Sequence, residues 1–337
     1  MSKVNVTMSD IGKEMGVSTV TVSKALGDKD GVSEELRERI KIKALEMGYR
    51  YNSLAKAAKE GMTYNIGIIA PKRYFDENAS FYWLMYQHIV EHLARHSYYG
   101  ILDVISDEKE QANELPNVVL DNKIDGLIVL GQLSEDYVQS ISKINIPMVF
   151  LDFYSSKAKV DTVLSDNFYG SYMITSYLLE KGHNSIAFVG SINATSSIQD
   201  RYLGYYKALL EYKVPIKEEF VIKDRDDGNI FTEFDLPKKM PTAFVCNCDE
   251  TAYRLINQLK SMGLNVPFDA SVVGYDNYIF STLSQPEITT VDVNMRRMSA
   301  EAVNIVIRKI EDPSFSSGRT LVTGNLIKRH SVKRPRK

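Results

Sequence analysis

Thr7-Met8-Ser9-Asp10-Ile11-Gly12-Lys13-Glu14-Met15-Gly16-Val17-Ser18-Thr19-Val20-Thr21-Val22-Ser23-Lys24-Ala25-Leu26 carries the punctuation of two short helices around a tight turn. Thr7 and Asp10 have capping-box spacing, and Gly16 ends the first helix after Met15. Ser18 caps a second helix, Thr19 to about Leu26. Ser33, ahead of Glu34 and Glu35, starts a third, with Leu36, Ile40, Ala44 and Met47 at helical spacing and a stop at Gly48. Two short helices joined by a glycine turn and braced by a third describe a helix-turn-helix.

The second helix is poor in helix propensity and rich in short hydroxyl side chains. Val22, Ala25 and Leu26 form its expected buried stripe, while Thr19, Val20, Ser23 and Lys24 fall on other faces. A recognition helix enters the major groove N-terminus first. In that setting Thr19 and Val20 touch base edges and thymine methyls, and Ser18, Thr21, Ser23 and Lys24 hold phosphates. A small helical domain with a polar face has the same pattern, and the residues alone leave the two readings open.

Composition bounds the rest. A chain of 337 residues is too long for one compact core. Hydrophobic content of 44% and charged content of 25% are ordinary for a globular protein. No apolar run approaches the roughly 20 residues of a membrane-spanning helix, and Met1-Ser2-Lys3-Val4-Asn5 lacks the apolar core of a secretory signal, so a cytoplasmic protein with no membrane partner is expected. Residues 1–61 hold 11 Lys/Arg and 9 Asp/Glu, against 30 and 34 in the remainder, so positive charge is concentrated at the N-terminal end. Residues 331–337 read as a solvated basic tail. Cys246 and Cys248, one residue apart, fit neither zinc nor redox-pair spacing. His88, His92 and His96 repeat along one helix, where a polar face explains them without a metal. No Walker loop, GxSxG elbow or HExxH motif is present, which argues against an enzyme. Neither metal nor cofactor is expected.

The stretches Val6–Gly12, Gly16–Ser18, Thr21–Leu26, Val32-Ser33 and Met47-Gly48-Tyr49-Arg50-Tyr51-Asn52 together resemble the headpiece of the lactose-repressor (LacI/GalR) family. By that resemblance Thr7, Ser18, Thr21, Ser23 and Lys24 belong to the DNA-contacting set, Thr19 and Val20 match the variable base-reading pair, and Tyr49 and Asn52 lie near the backbone and at the start of a hinge. The run Asn52-Ser53-Leu54-Ala55-Lys56-Ala57-Ala58-Lys59-Glu60-Gly61 resembles the hinge helix, in which Leu54, Ala55, Ala58 and Lys59 approach the minor groove. Two positions depart from the family: Tyr51 stands where relatives have proline, and Ala58 where they have a leucine that wedges between base pairs. A methyl group cannot unstack bases as an isobutyl group does. Either the operator is bent less, or Leu54 does part of the work.

From Tyr64 onward strand-like runs (Ile66–Ala70, Gly100–Ile105, Gly126–Gly131, Met148–Asp152, Ile186–Gly190, Ala243–Cys246, Val272–Tyr275) alternate with helical ones, the pattern of parallel sheets covered by helices. Lys123–Ile128, Ile146–Asp152, Gly182–Gly190, Asp200–Tyr205 and Val272–Asn277 resemble the periplasmic-binding-protein-like core of the same family. The expected fold is α/β: a helix-turn-helix headpiece (1–51), a hinge helix (52–62) and a two-lobed core (63–330). One lobe takes about 63–160 and 291–320, the other about 161–290 and 321–330. Between Ile222 and Pro241 there is little room for the usual crossover helix. Relatives often place an effector contact near Asp226.

Ligands of such folds sit at the carboxyl ends of the strands. Arg201 and Asp276 match the family's effector-binding pair, expected to face one another, partly solvated, across the cleft. Phe81 and Tyr82 match aromatic ligand contacts, with Tyr74, Phe75 and Trp83 nearby. Asp152, Ser197 and Asn247 are further candidates, and Asp166 reads as a helix cap. The resemblance implies a homodimeric DNA-binding transcription regulator, a repressor, whose partners are operator DNA and a small-molecule effector; a sugar or sugar phosphate is the family's commonest ligand. The alternatives are a core governed by a partner protein and a periplasmic solute-binding protein. The hinge gives the first testable outcome. Ala58→Leu should increase operator bending in circular-permutation gel shifts, because the larger side chain can pry open a flexible pyrimidine–purine step. Equal bending by both chains would identify Leu54 as the wedge.

Overall fold

The computed structural model describes residues 6–49, 61–75, 81–226 and 230–336. The chain divides into two compact units, Met1–Thr63 and Tyr64–Lys337. Tyr51 and the hinge candidates Asn52, Leu54, Ala55, Ala58 and Lys59 lie outside the described residues.

The first unit contains α1 (Met8–Met15), α2 (Thr19–Leu26) and α3 (Glu34–Glu46). Thr7 and Asp10 form the full reciprocal capping box, and Ser18 and Ser33 cap the next two helices through the amides of Thr21 and Leu36. Gly16 sits at φ 66°, the left-handed conformation that lets the chain leave α1 and start α2 after three residues. Ile11, Val22, Ala25, Ile40 and Ala44 form the buried centre, with Leu26 and Met47 against its edge. Arg37 is also buried: it donates to Asp28 Oδ1 at 3.3 Å and to the Lys29 carbonyl at 3.1 Å, tying down the loop between α2 and α3.

In the second unit the strands in chain order are β1 (Asn65–Pro71), β2 (Tyr99–Ile105), β3 (Gly126–Leu130), β4 (Met148–Leu151), β5 (Asp161–Ser165), β6 (Ile186–Val189), β7 (Val221–Ile222), β8 (Ala243–Cys246), β9 (Ser271–Val273), β10 (Thr290–Asp292), β11 (Arg319–Val322) and β12 (Asn325–Ile327). One sheet has the order β11-β5-β4-β3-β1-β2 and the other β7-β6-β8-β9, with parallel pairing throughout; β10 and β12 make a separate antiparallel ribbon. Burial on both faces explains why β1, β3 and β4 read as near-continuous apolar runs. On one face of the first sheet, helices Phe81–Arg95 and Met295–Glu311 pack together, and Ser299 donates to the Met85 carbonyl. On the other, Val118, Tyr137 and Ile141 cover Ile69, Leu127 and Phe150. In the second sheet, helix Asp249–Ser261 covers Ala187, Val189, Phe244 and Cys246. Tyr205, from helix Ser196–Glu211, packs on Phe188 and donates its hydroxyl to the Ile186 carbonyl.

Two expectations change. Residues 161–165 belong to the first sheet, so the lobe boundary lies after Ser165 and not at 160. The strand escapes notice because it opens on a charge. Asp161 is nonetheless buried, its carboxylate held by Lys309 Nζ (2.7 Å), Ser316 Oγ (2.7 Å) and the Gly318 amide (2.8 Å). The basic tail is also docked. Ser331 is fully buried, accepting from the Val272 and Thr289 amides, and the Lys333 amide donates to Ser271 Oγ. Basic side chains suggested solvation there, but the backbone does the pairing. The loop between β7 and β8 shows no helix among the described residues, as its length implied. No helix among them is long and apolar enough to cross a membrane.

Gly204 marks the tightest approach to backbone in the second lobe: a Cβ there would lie 2.1 Å from the Phe168 carbonyl oxygen. Gly204→Ala should therefore force helices Asn167–Glu180 and Ser196–Glu211 apart and cost ~1–3 kcal/mol. Urea denaturation is the check; an unchanged midpoint would mean that the two helices separate without loss.

Candidate functional site

On the headpiece, α2 presents Thr19, Val20, Ser23 and Lys24 to solvent while Val22 and Ala25 are buried. Val20 is 65% exposed, an apolar side chain kept at the start of a helix where no core requires it. Ser18 and Thr21 are bonded to each other at 2.9 Å, and Ser18 also accepts from the Thr21 amide. Their hydroxyls thus build the helix start. Thr7 is likewise engaged with Asp10. Tyr49 packs against the headpiece core.

In the second unit a cavity of about 370 Å³ gathers most of the remaining candidates: Tyr74, Phe81, Tyr82 and Asp152 from the first lobe, Ser197, Arg201, Asn247 and Asp276 from the second. Most stand where a strand ends or a helix begins, and Arg201 lies in the second turn of helix Ser196–Glu211. Asp152 follows β4, Asn247 follows β8, and Asp276 lies three residues after β9. Asp152 and Asp276 have φ of 69° and 104°. Such backbone is costly for a residue with a Cβ, and it tends to persist at binding sites where surrounding structure enforces it. Phe75 and Trp83 pack edge-to-face on one another, apart from the cavity lining.

Arg201 organises the second-lobe wall. Its guanidinium donates to Asn167 Oδ1 (2.8 Å) and the Asn247 carbonyl (2.5 Å), pairs with Asp276 Oδ1 (3.1 Å), and lies 3.9 Å from the centre of the Tyr275 ring. Arg201 and Asp276 therefore share one lobe and form a buried pair, contrary to the expectation of a solvated pair spanning the cleft. What faces them from the first lobe is Asp152, whose Oδ2 accepts from the Tyr82 hydroxyl at 2.9 Å. Tyr82 stacks on Tyr74 with centroids 4.4 Å apart.

Burial pushes both carboxyls up to about 6 despite the opposing charge of Arg201. Asp152 Oδ1 is buried and has no hydrogen-bond partner. An unmet buried acceptor on a cavity wall is a place for a ligand donor.

Asn247 proves more structural than expected. Its side-chain amide donates to Asp224 Oδ2 (2.6 Å) and the Val189 carbonyl (3.2 Å). Asp224, fully buried, also receives the Ser191 amide, the Thr251 hydroxyl and Arg225. Burial favours its neutral form, but those donors, Arg225 first, hold it below the usual carboxylate range. Asp224, Arg225 and Phe231 were missed because β7 is only two residues long and leaves no readable strand end to count from. The Arg225 and Arg254 guanidiniums lie 4.6 and 4.4 Å from the Phe231 ring centre. Every arginine lining the cavity already has a carboxylate: Arg73 with Glu110, Arg201 with Asp276, Arg225 with Asp224 and Arg254 with Glu250.

Because burial raises Asp152 from 3.8 to about 6, the folded chain holds a proton there that the unfolded chain has lost between those values. Its charge therefore destabilises the ligand-free fold above about pH 6, and that penalty fades as pH falls toward 4. Asp152→Asn should melt at a higher temperature than the parent at pH 7.5, with the gap closing by pH 4. A gap of equal size at both pH values would show that the charge is not responsible.

Residues 7–52 match the lacI family of bacterial regulatory proteins, and residues 175–332 match a periplasmic binding protein-like domain. Over 310 residues the chain is 27% identical to the HTH-type transcriptional repressor PurR of Actinobacillus pleuropneumoniae serotype 3 (strain JL03), covering 90% of this chain and 91% of that one. The lac repressor dimer bound to operator and the anti-inducer ONPF superposes with a TM-score of 0.74 at 20% identity, covering 98% of this chain and 99% of that one. The complex of the transcriptional regulator CelR with cellobiose gives 0.68 at 22% identity, covering 97% and 100%. These relatives are regulators and not enzymes. A helix-turn-helix of the lacI type joined to a periplasmic-binding-protein-like, ligand-binding core places this chain in the lacI family of DNA-binding transcriptional regulators.

Proposed function

We propose that this regulator is a cytoplasmic repressor that binds a two-fold operator as a homodimer and answers to an uncharged carbohydrate held in the cavity. In this reading residues 1–51 read DNA, 52–62 form the hinge and 63–330 sense the ligand. The carrying observation is the unpartnered Asp152 Oδ1 in a cavity whose arginines are all ion-paired. A sugar phosphate would need a cation with no carboxylate of its own, and would face the charge of Asp152. A neutral polyol supplies hydroxyl donors to Asp152 and Asp276 and a C–H face to the Tyr74–Tyr82 and Phe81 rings. Cellobiose in the complex of the CelR neighbour is consistent with that chemistry. The stacked tyrosines favour one second reading, a flat nucleobase such as a purine, its N–H donating to Asp152.

Filling the cavity would bias the separation of the lobes, which is spanned nearby by two contacts. The Ser196 amide donates to Gln132 Oε1 at 2.8 Å, and Asp200 receives Arg319 (3.3 Å) and the Tyr154 hydroxyl (3.5 Å). Lobe closure transmitted to a paired hinge gives the coupling between ligand and operator, typically about 1–3 kcal/mol in allosteric proteins.

Two measurements test this reading. In a thermal-shift screen of neutral sugars, sugar phosphates and nucleobases, a neutral sugar should stabilise the parent, and Asp152→Asn should weaken that sugar by ~1.5–3 kcal/mol. Stabilisation by a sugar phosphate or nucleobase alone overturns the carbohydrate assignment. In operator titrations Lys24→Ala should weaken binding to all sequences and make the salt slope shallower by about 1, whereas changing Thr19 or Val20 should alter which operator is preferred. Unchanged operator choice in the Thr19 and Val20 variants would remove α2 from base reading.

A further inference from the structure

Beyond Phe231 a second concavity lies beside the cavity. Successive parallel strands such as β7 and β8 are ordinarily joined by a covering helix, yet the described residues between them run as an irregular loop. Arg225 and Phe231 pair across it, and the Asp226 amide donates to the Ile230 carbonyl at 2.9 Å. Phe234 plugs into the core, its amide donating to Gln258 Oε1 and its carbonyl receiving Gln258 Nε2. Over helix Asp249–Ser261 this arrangement leaves a concave groove of about 820 Å³, against about 370 Å³ for the cavity. Phe231, Glu250 and Arg254 line both, so the groove and the cavity are neighbours that share these side chains.

We infer that the groove is a second subsite of the same ligand site, taking the outer units of an oligosaccharide whose terminal unit lies between Asp152 and Arg201. This rests on the carbohydrate reading above. Three observations carry it. The groove adjoins the cavity, sharing the side chains of Phe231, Glu250 and Arg254 with it, and its volume exceeds what one further ring requires. Its chemistry suits sugars. Tyr253 and Phe280, with centroids 5.6 Å apart, offer aromatic faces for C–H contact. Around them Asn257 and the fork of Arg254 on Glu250 (2.8 and 3.1 Å) offer donors and acceptors for hydroxyls. Phe231, flanked by the Arg225 and Arg254 guanidiniums, is held as a fixed wall between consecutive units.

Calorimetry on the full chain tests this with two probe series, glucose through cellotetraose and glucose through maltotetraose. The proteins compared are the parent, Tyr253→Ala and Asn257→Ala; both substitutions lie in the groove and outside the cavity lining. In one series affinity should rise at least tenfold from one unit to three. Either groove variant should remove most of that rise while leaving the affinity for a single unit unchanged. An affinity independent of length, or a length dependence that survives in both variants, overturns the subsite and leaves the carbohydrate reading standing. If no sugar of either series binds while a nucleobase does, both readings fall together. If Tyr253→Ala instead halves the mass found by light scattering and leaves the length dependence intact, a second copy of the chain covers the groove and the subsite is excluded.

Discussion

The buried guanidinium of Arg201 is the contact on which the second lobe's cavity wall depends. It joins the start of helix Asn167–Glu180 through Asn167, the end of β8 through the Asn247 carbonyl, and the segment after β9 through Asp276 and Tyr275. Desolvating a guanidinium is costly, and only this many partners offset it. Truncating either member of the pair would leave the other charge buried and uncompensated. Arg201 is therefore a structural tie of the second lobe, and its removal would confound any reading of ligand affinity.

Asp152 contrasts with that arrangement. It is equally buried and has a comparably raised carboxyl, but one oxygen is left without a partner. Stability is spent there where a ligand can return it, a common signature of a binding position. The surrounding arginines, each already satisfied, set the character of the site: polar, nearly balanced in charge and walled by rings. The same logic operates on the headpiece. Ser18, Thr7 and Arg37 are consumed in holding α2 in place, so that Thr19, Val20, Ser23 and Lys24 are presented without internal obligations of comparable weight.

Replacing a crossover helix by a loop has consequences at two scales. Locally, Phe234 and Gln258 repair the exposed flank of helix Asp249–Ser261. At the level of the site, Phe231 is carried to the mouth of the cavity and an open groove remains beside it.

Local chemistry made the headpiece legible from its residues. Caps at Thr7, Ser18 and Ser33, the left-handed Gly16 and the 3.6-residue spacing of α3 are short-range effects, and each sits where the pattern placed it. The apolar strands β1, β3, β4, β6, β8 and β9 were equally readable, since burial on both faces leaves a run that needs no partner to identify. Through those strands the sequence also pointed to Asp152, Asn247 and Asp276 at their ends. Long-range pairing was not legible. β5 and β11 recognise each other across more than 150 residues through Asp161, and the tail at Ser331 docks by backbone bonds that its basic side chains conceal. Only the tertiary structure showed that Arg201 and Asp276 share a lobe, that Asn247 spends its amide on Asp224, and that Asp152 keeps an oxygen unpaired. Caps and periodicity act between neighbours in sequence, whereas hydrogen-bond partners in a buried site are settled by packing between distant segments.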